Sequence, residues 1–270
     1  NKADVIHSQS KYLTDKIISL GIGSEKISTF TYGIELGAVG SRETLRPAPP
    51  RVNEGADTIG ADVMRWMFAN QRYDTDMLFG YHLADETRRR FFIPLWNVYS
   101  FFVTYANLDK PQALTVNVAT NELDRWLLSE LNVLVRDVTK AYEEYDVTNA
   151  TRPVEKFVET LSTWYVRRSR RRFWKSESDS DKQAAYSTLY TALVTISKLL
   201  APAMPFLADE LYQNLVRSVD SSAPESVHLA SWPESLPEMI DESLNRDMAL
   251  VMKLVSLGHS ARQKANRKVR

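Results

Sequence analysis

The stretch YVRRSRRRFWK, residues 165–175, gathers six cationic side chains and no acid into about three helical turns. Arg167, Arg168, Arg170, Arg171, Arg172 and Lys175 are interleaved with Tyr165, Phe173 and Trp174. A guanidinium fork matches two phosphate oxygens at once and stacks on flat rings, so this mixture suits a nucleic-acid backbone. The competing reading is a solvated helix face. Its charges would complement the negative helix end, worth about 0.3–1 kcal/mol, while arginine stems cover the aromatic rings. That reading accounts for one or two arginines and leaves the others without a reason. A second basic group crowds the other end of the sequence: Arg262, Lys264, Arg267, Lys268 and Arg270, with no acid after Asp247. If both groups protrude and meet one RNA, binding must weaken steeply with salt.

Other residue types offer little chemistry. The 34 basic and 34 acidic residues cancel, so any nucleic-acid affinity has to come from local clustering. There is no cysteine, which excludes disulfides, thiolate zinc sites and thiol catalysis. His7, His82, His228 and His259 are far apart, so no metal site is expected. Asp209 and Glu210 are adjacent and point about 100° apart on a helix, which reads as two solvated acids. Asp85 and Glu86 precede Arg88, Arg89 and Arg90 and read as helix N-terminal charge with local ion pairs. Asn149-Ala150-Thr151 spells a glycosylation sequon that is read as chance, because no secretion signal precedes it. GIG at 21–23 is a helix-stop glycine with its neighbours and not a phosphate loop, and Glu25 and Glu35 read as surface acids. No catalytic residue is assigned.

The elements that must hold the basic groups are mainly helical. Residues 1–36 form a short αβ fragment: DVIHSQS and KISTFTYGI read as strands, and KYLTDKIISLG as a helix. Residues 37–56 read as a linker, because Pro47, Pro49 and Pro50 forbid regular structure. Beyond it, one amphipathic helix runs from about Ala84 to Asn107, kinked by Pro94. A second spans about Asn121–Glu144, opened by Asn121 with Asp124 three residues on in the manner of a capping box. A third, about Thr151–Trp174, carries Phe157, Leu161, Trp164 and Arg168 at helical spacing. Its apolar stripe therefore turns cationic, and its C-terminal half is expected to leave the core. A fourth begins near Ser180 and is broken by APAMP. FLADELYQNLV resumes as a short helix, VHLASWP reads as a short extended piece, and a last helix starts near Asp241 with Leu244, Met248, Val251 and Val255. Trp96, Trp126 and Trp164 read as core packing, and His228 and Trp232 as docking residues. Long amphipathic helices on short loops make a helical bundle. No apolar run reaches the roughly 20 residues needed to span a bilayer.

Several stretches, taken together, resemble one family. GADVMRWMFANQ (60–71), RRRFFIPLWNVYSFFVTYANLD (88–109), NELDRWLLSELN (121–132), WYVRRSRRRFW (164–174), LLAPAMPFLADELYQNL (199–215), SVHLASWP (226–233) and ARQKANRKVR (261–270) are similar to the anticodon-binding region of the class I isoleucyl-tRNA synthetases. WYVRRSRRRFW points to the isoleucine branch. The resemblance covers about residues 56–270. It implies a mainly α fold, a helical bundle of the class I anticodon-binding type; the short αβ fragment ahead of it does not fit that family. Residues 57–80 would be a remnant of the connection after the catalytic domain, 81–240 the bundle, and 241–270 a C-terminal basic helix.

The implied partner is an isoleucine tRNA. The implied contacts are Arg167, Arg168, Arg170, Arg171, Arg172, Lys175, Arg262, Lys264, Arg267 and Lys268. HIGH and KMSKS motifs are missing, so ATP and Mg serve the family's catalytic domain and no cofactor is expected here. A cytoplasmic monomer, inactive by itself, is the expectation. Residues 1–36 resemble instead a piece of a GT-B glycosyltransferase, without that family's sugar-nucleotide site. The alternatives are therefore a glycosyltransferase fragment with a passenger bundle, or a non-catalytic helical scaffold.

Overall fold

The computed structural model describes residues 59–72, 76, 79–111, 114, 121–175 and 180–265, and the backbone of two short strands. Strands β1 (Ile6–Ser8) and β2 (Ile27–Thr29) pair in parallel, with Ile6 opposite Ile27. Both fall where the sequence places strands. The helix expected between them, and the linker at 37–56, lie outside the described residues.

The rest is helical: α1 (Ala61–Ala69), α2 (Tyr81–Thr87), α3 (Ile93–Asp109), α4 (Glu122–Glu143), α5 (Val147–Thr160), α6 (Arg167–Trp174), α7 (Ser180–Leu200), α8 (Pro205–Tyr212) and α9 (Glu242–Lys264). A wider π turn at Arg88–Phe92 fuses α2 to α3, and another at Leu161–Val166 fuses α5 to α6. The first lies just before Pro94, whose missing N–H cannot serve the carbonyl of Arg90. The third helix starts at Val147, one turn ahead of the expected Thr151. Asp146 caps it earlier by accepting from the Asn149 N–H at 3.0 Å, which leaves Pro153 inside α5.

One core joins α3 to α8. Trp126, Leu127, Leu161, Tyr165, Leu189, Leu193 and Met204 are shut off from solvent. Fully burying each such side chain stabilises the fold by about 1.5–3 kcal/mol. α1 packs on this body as well, with Trp66 stacked on Phe91 at 4.2 Å between ring centres. Gly60, at φ +95°, opens α1 in a conformation that L side chains rarely adopt.

The break at APAMP leaves carbonyls at the end of α7 and N–H groups at the start of α8 without helical partners. α1 supplies both from one turn. Arg65 donates to the carbonyls of Ala203 (3.0 Å) and Pro202 (3.1 Å), and Asp62 accepts from the Leu207 N–H at 2.6 Å. Each charge sits at the helix end whose dipole it complements. Burial pushes the Asp62 carboxyl above the usual carboxylate range, against the lowering pull of the Leu207 and Phe206 N–H groups.

Two expectations, one on the strap from Tyr212 to Asp241 and one on the helix it folds against, need correction. VHLASWP is not extended: Val227–Leu229 is a 3₁₀ turn. Asp209 is not a free solvated acid, because it accepts from the Ser226 hydroxyl (2.6 Å) and the Val227 N–H (3.0 Å) and so fixes that turn. Trp232 docks as expected, donating from its indole N–H to Thr139 Oγ1 at 2.8 Å and meeting Tyr142 edge-on. The strap then runs back along α4, from Thr139 to Ser129, whose hydroxyl accepts from the Asp241 N–H at 2.8 Å. α9 therefore starts at the amino end of α4.

Candidate nucleic-acid interface

α6 does not leave the core. The expected stripe through Phe157, Leu161, Trp164 and Arg168 holds only as far as Leu161. The π turn at 161–166 then inserts one extra residue and rotates the following positions by roughly a third of a turn. The buried face becomes Tyr165, Val166, Ser169, Arg172 and Phe173. Phe173 is 1% exposed and makes edge contacts with Phe101 of α3 (5.1 Å) and Tyr186 of α7 (4.9 Å). Arg167, Arg168, Arg170 and Arg171 are consequently turned outward, and all four are exposed.

Arg172 is the correction among the cations. It was expected on the phosphate-facing surface, yet it is buried and grips α4 instead. Its Nη1 and Nη2 each donate to Asp124 at 2.6 Å, and Nη2 also reaches Asp181 Oδ1 at 2.9 Å. Asp124 is fully buried and accepts from the Tyr165 hydroxyl at 2.7 Å as well. Asp124 is thus not the far half of a capping box: Asn121 alone caps α4, accepting from the Leu123 N–H at 2.9 Å. Burial works against the Arg172 charge, but the Asp124 carboxylate outweighs it and holds the guanidinium more firmly protonated than usual. Burial also pushes the Tyr165 hydroxyl well up, reinforced by the Asp124 charge.

Asp181, Asp109 and Lys182 close the end of α6. Lys175 lies 3.5 Å from Asp181 and is therefore shared with a carboxylate. Lys182, itself buried, donates to the Lys175 carbonyl at 2.7 Å and pairs with Asp109 at 2.7 Å. Tyr186 also donates to Asp109. Burial alone would raise the Asp109 carboxyl, yet the Lys182 and Tyr186 hydrogen bonds bring it below its ordinary value. The four outward arginines differ from Arg172: none is paired with a carboxylate among the described residues. Arg168 lies 3.9 Å over the half-buried Trp164 ring, which holds its charge at the surface.

The second basic group sits on a different support. Arg262 and Lys264 are exposed near the end of α9, while Arg267 and Lys268 lie outside the described residues. α9 is fastened at its start, where Asp241 accepts from the Leu244 N–H and pairs with Arg125 at 3.0 Å. Arg262 is about 30 Å of helix axis beyond that point. No residue of α9 is buried, and Leu250, Val251, Leu254 and Leu257 are exposed.

Sequence reasoning missed Asp124 and Asp181 as the acids that orient α6. One signal was present: Ser169 is the only small residue among the arginines, and it is fully buried where α6 approaches the bundle. Trp126 is core as expected, but Trp96 is not: it is 49% exposed. It lines a groove of about 470 Å³ with Val63, Arg88, Phe92, Ile93 and Leu207, which brings together no acid, base or nucleophile pair. Arg88 pairs with Asp85 at 3.0 Å, as the local-pair reading expects. Among the described residues no cluster of three His, Asp or Glu side chains could hold a metal, and no helix is long and apolar enough to cross a membrane.

A family model described as "Anticodon-binding domain of tRNA ligase" matches residues 124–270. The isoleucine–tRNA ligase of Dehalococcoides mccartyi is 55% identical over 222 residues, 79% of this chain and 21% of that one. The Thermus thermophilus ligase of the same description is 51% identical over 215 residues, 78% of this chain and 21% of its own. That of Clostridium acetobutylicum is 42% identical over 251 residues, 90% of this chain and 24% of its own, so its likeness reaches ahead of residue 56 into the segment read as a linker. The chain thus spans about a fifth to a quarter of the length of these relatives. In fold it is similar to the LeuRS of Agrobacterium radiobacter K84, solved as a LeuRS-tRNA-LeuAMS ternary complex. That match has a TM-score of 0.51 at 18% identity and covers 69% of this chain and 21% of that one.

Proposed function

The chain belongs to the family of anticodon-binding domains of tRNA ligases, and from this premise we propose that it is the tRNA-holding bundle of an isoleucine–tRNA ligase, with α6 as its phosphate-facing edge. The observation that carries the assignment of α6 is the outward set Arg167, Arg168, Arg170 and Arg171, which have no carboxylate partner among the described residues while Arg172 holds the helix in place. Guanidinium groups fixed to a rigid helix lose little freedom when they meet phosphate oxygens. Arg262 and Lys264 form a second contact on the longer arm of α9. Amino-acid activation, with its ATP and Mg, belongs to other parts of the longer ligases. The chain by itself binds isoleucine tRNA as a monomer and forms no aminoacyl-adenylate.

The test is fluorescence anisotropy with labelled isoleucine tRNA and a tRNA for another amino acid, each at two or more salt concentrations. Affinity falls with salt on a log-log slope of roughly 0.7–0.9 per phosphate neutralised. Joint reversal of Arg168 and Arg171 to Glu removes binding at moderate salt. Binding untouched by that reversal, or no binding even at low salt, overturns the reading. Equal affinity for both tRNAs overturns the isoleucine specificity alone.

A further inference from the structure

α6 ends in a residue that phosphate contact does not explain. Trp174 is 56% exposed, whereas its neighbour Phe173 is 1% exposed. A large ring left open on a structured helix is informative, because burial is its default. Trp164 is covered by Arg168 and Trp126 is in the core. Among the described residues Trp174 touches no other ring, and its indole N–H has no acceptor. Its position is equally telling. Residues 167, 170, 171 and 174 follow the i, i+3, i+4, i+7 spacing of one helix face. All four are exposed, so three guanidiniums run along α6 and the indole closes the row.

Resting on the phosphate-facing reading of α6, we infer that Trp174 is a stacking platform for one unpaired nucleobase of the bound RNA. Phosphates held by Arg167, Arg170 and Arg171 fix the strand along the helix, and the next base that is free of its own stack lies flat on the indole. Every base has a π-face, so the contact tolerates any sequence but requires an unpaired base. Trp174 therefore discriminates a loop from a duplex, which the arginines alone cannot do.

The experiment compares the full chain with its Trp174→Leu and Trp174→Phe variants, titrated with isoleucine tRNA and with a blunt RNA duplex over a range of salt. Trp174→Leu weakens tRNA binding by about 5- to 150-fold, the range for loss of one base–aromatic stack. Its log-log salt slope stays that of the unmodified chain, Trp174→Phe recovers most of the affinity, and duplex binding does not change. An Arg171→Gln control instead lowers the slope by roughly 0.7. The inference is overturned if Trp174→Leu binds tRNA like the unmodified chain, if Phe fails where Leu fails, or if the loss comes with a lower slope. If the unmodified chain itself shows no salt-dependent tRNA binding, the phosphate-facing reading falls and this inference with it.

Discussion

α6 and α9 both present arginine and lysine to solvent, but they hold them in opposite ways. α6 is short and locked: Ser169, Arg172 and Phe173 are buried, and Asp124 and Asp181 converge on one of its own arginines. α9 is nearly three times as long and has no buried residue; Leu244, Met248 and Met252 lean on the core while its far half stands clear. Position along the sequence and density of charge do not distinguish them. Anchorage does. A charge on a locked helix keeps its place before a ligand arrives, whereas one on a free arm must be ordered on binding.

The sharpest way to break this contrast is to cut the anchor. Asp124→Asn removes the buried negative charge opposite Arg172 and turns an NH2 donor toward one of its nitrogens, and is expected to destabilise the fold by about 3–5 kcal/mol, measured by urea unfolding. An unchanged denaturation midpoint would place α6 on the same footing as α9. The matching cut on the other side is milder. Asp241→Ala removes the cap of α9 and a half-exposed pair with Arg125, and is expected to cost about 1 kcal/mol. Hydrogen exchange then shows faster opening of α9 amides with no change in α6.

The smallest effect is a titration away from both helices. The Asp62 carboxyl is raised in the folded state, so the native protein binds more protons than the unfolded chain between the ordinary carboxylate value and the raised one. Stability relative to Asp62→Asn therefore falls as pH rises through that window and is level above it. The difference in exchange between α6 and α9 stays constant across the same window; a change would mean that Asp62 couples to one of them.

Much of this arrangement is legible in the residues. Asn121 marks the start of α4, Ser180 the start of α7 and Asp241 the start of α9, because each is read from local cap chemistry or a clear apolar period. The orientation of α6 is not, for a physical reason. One extra residue in the π turn shifts the phase of everything after it, and no residue type at 161–166 announces that turn. Asp124 misleads differently: three residues after Asn121 it satisfies a capping pattern, while its real partners lie 41 and 48 residues away in the sequence. Asp209 likewise looks solvated until the Ser226 turn folds against it. Local chemistry locates the elements, but partners brought together by the fold decide which way the arginines face.

The joint between α7 and α8 sets a lower bound on how far the bundle can be trimmed. Asp62 and Arg65 act as a splint across it, and they come from α1, which precedes α3–α8 along the chain. A recombinant fragment begun at α2 would carry the proline-rich elbow without its brace. A usable minimal unit therefore has to start upstream of Gly60.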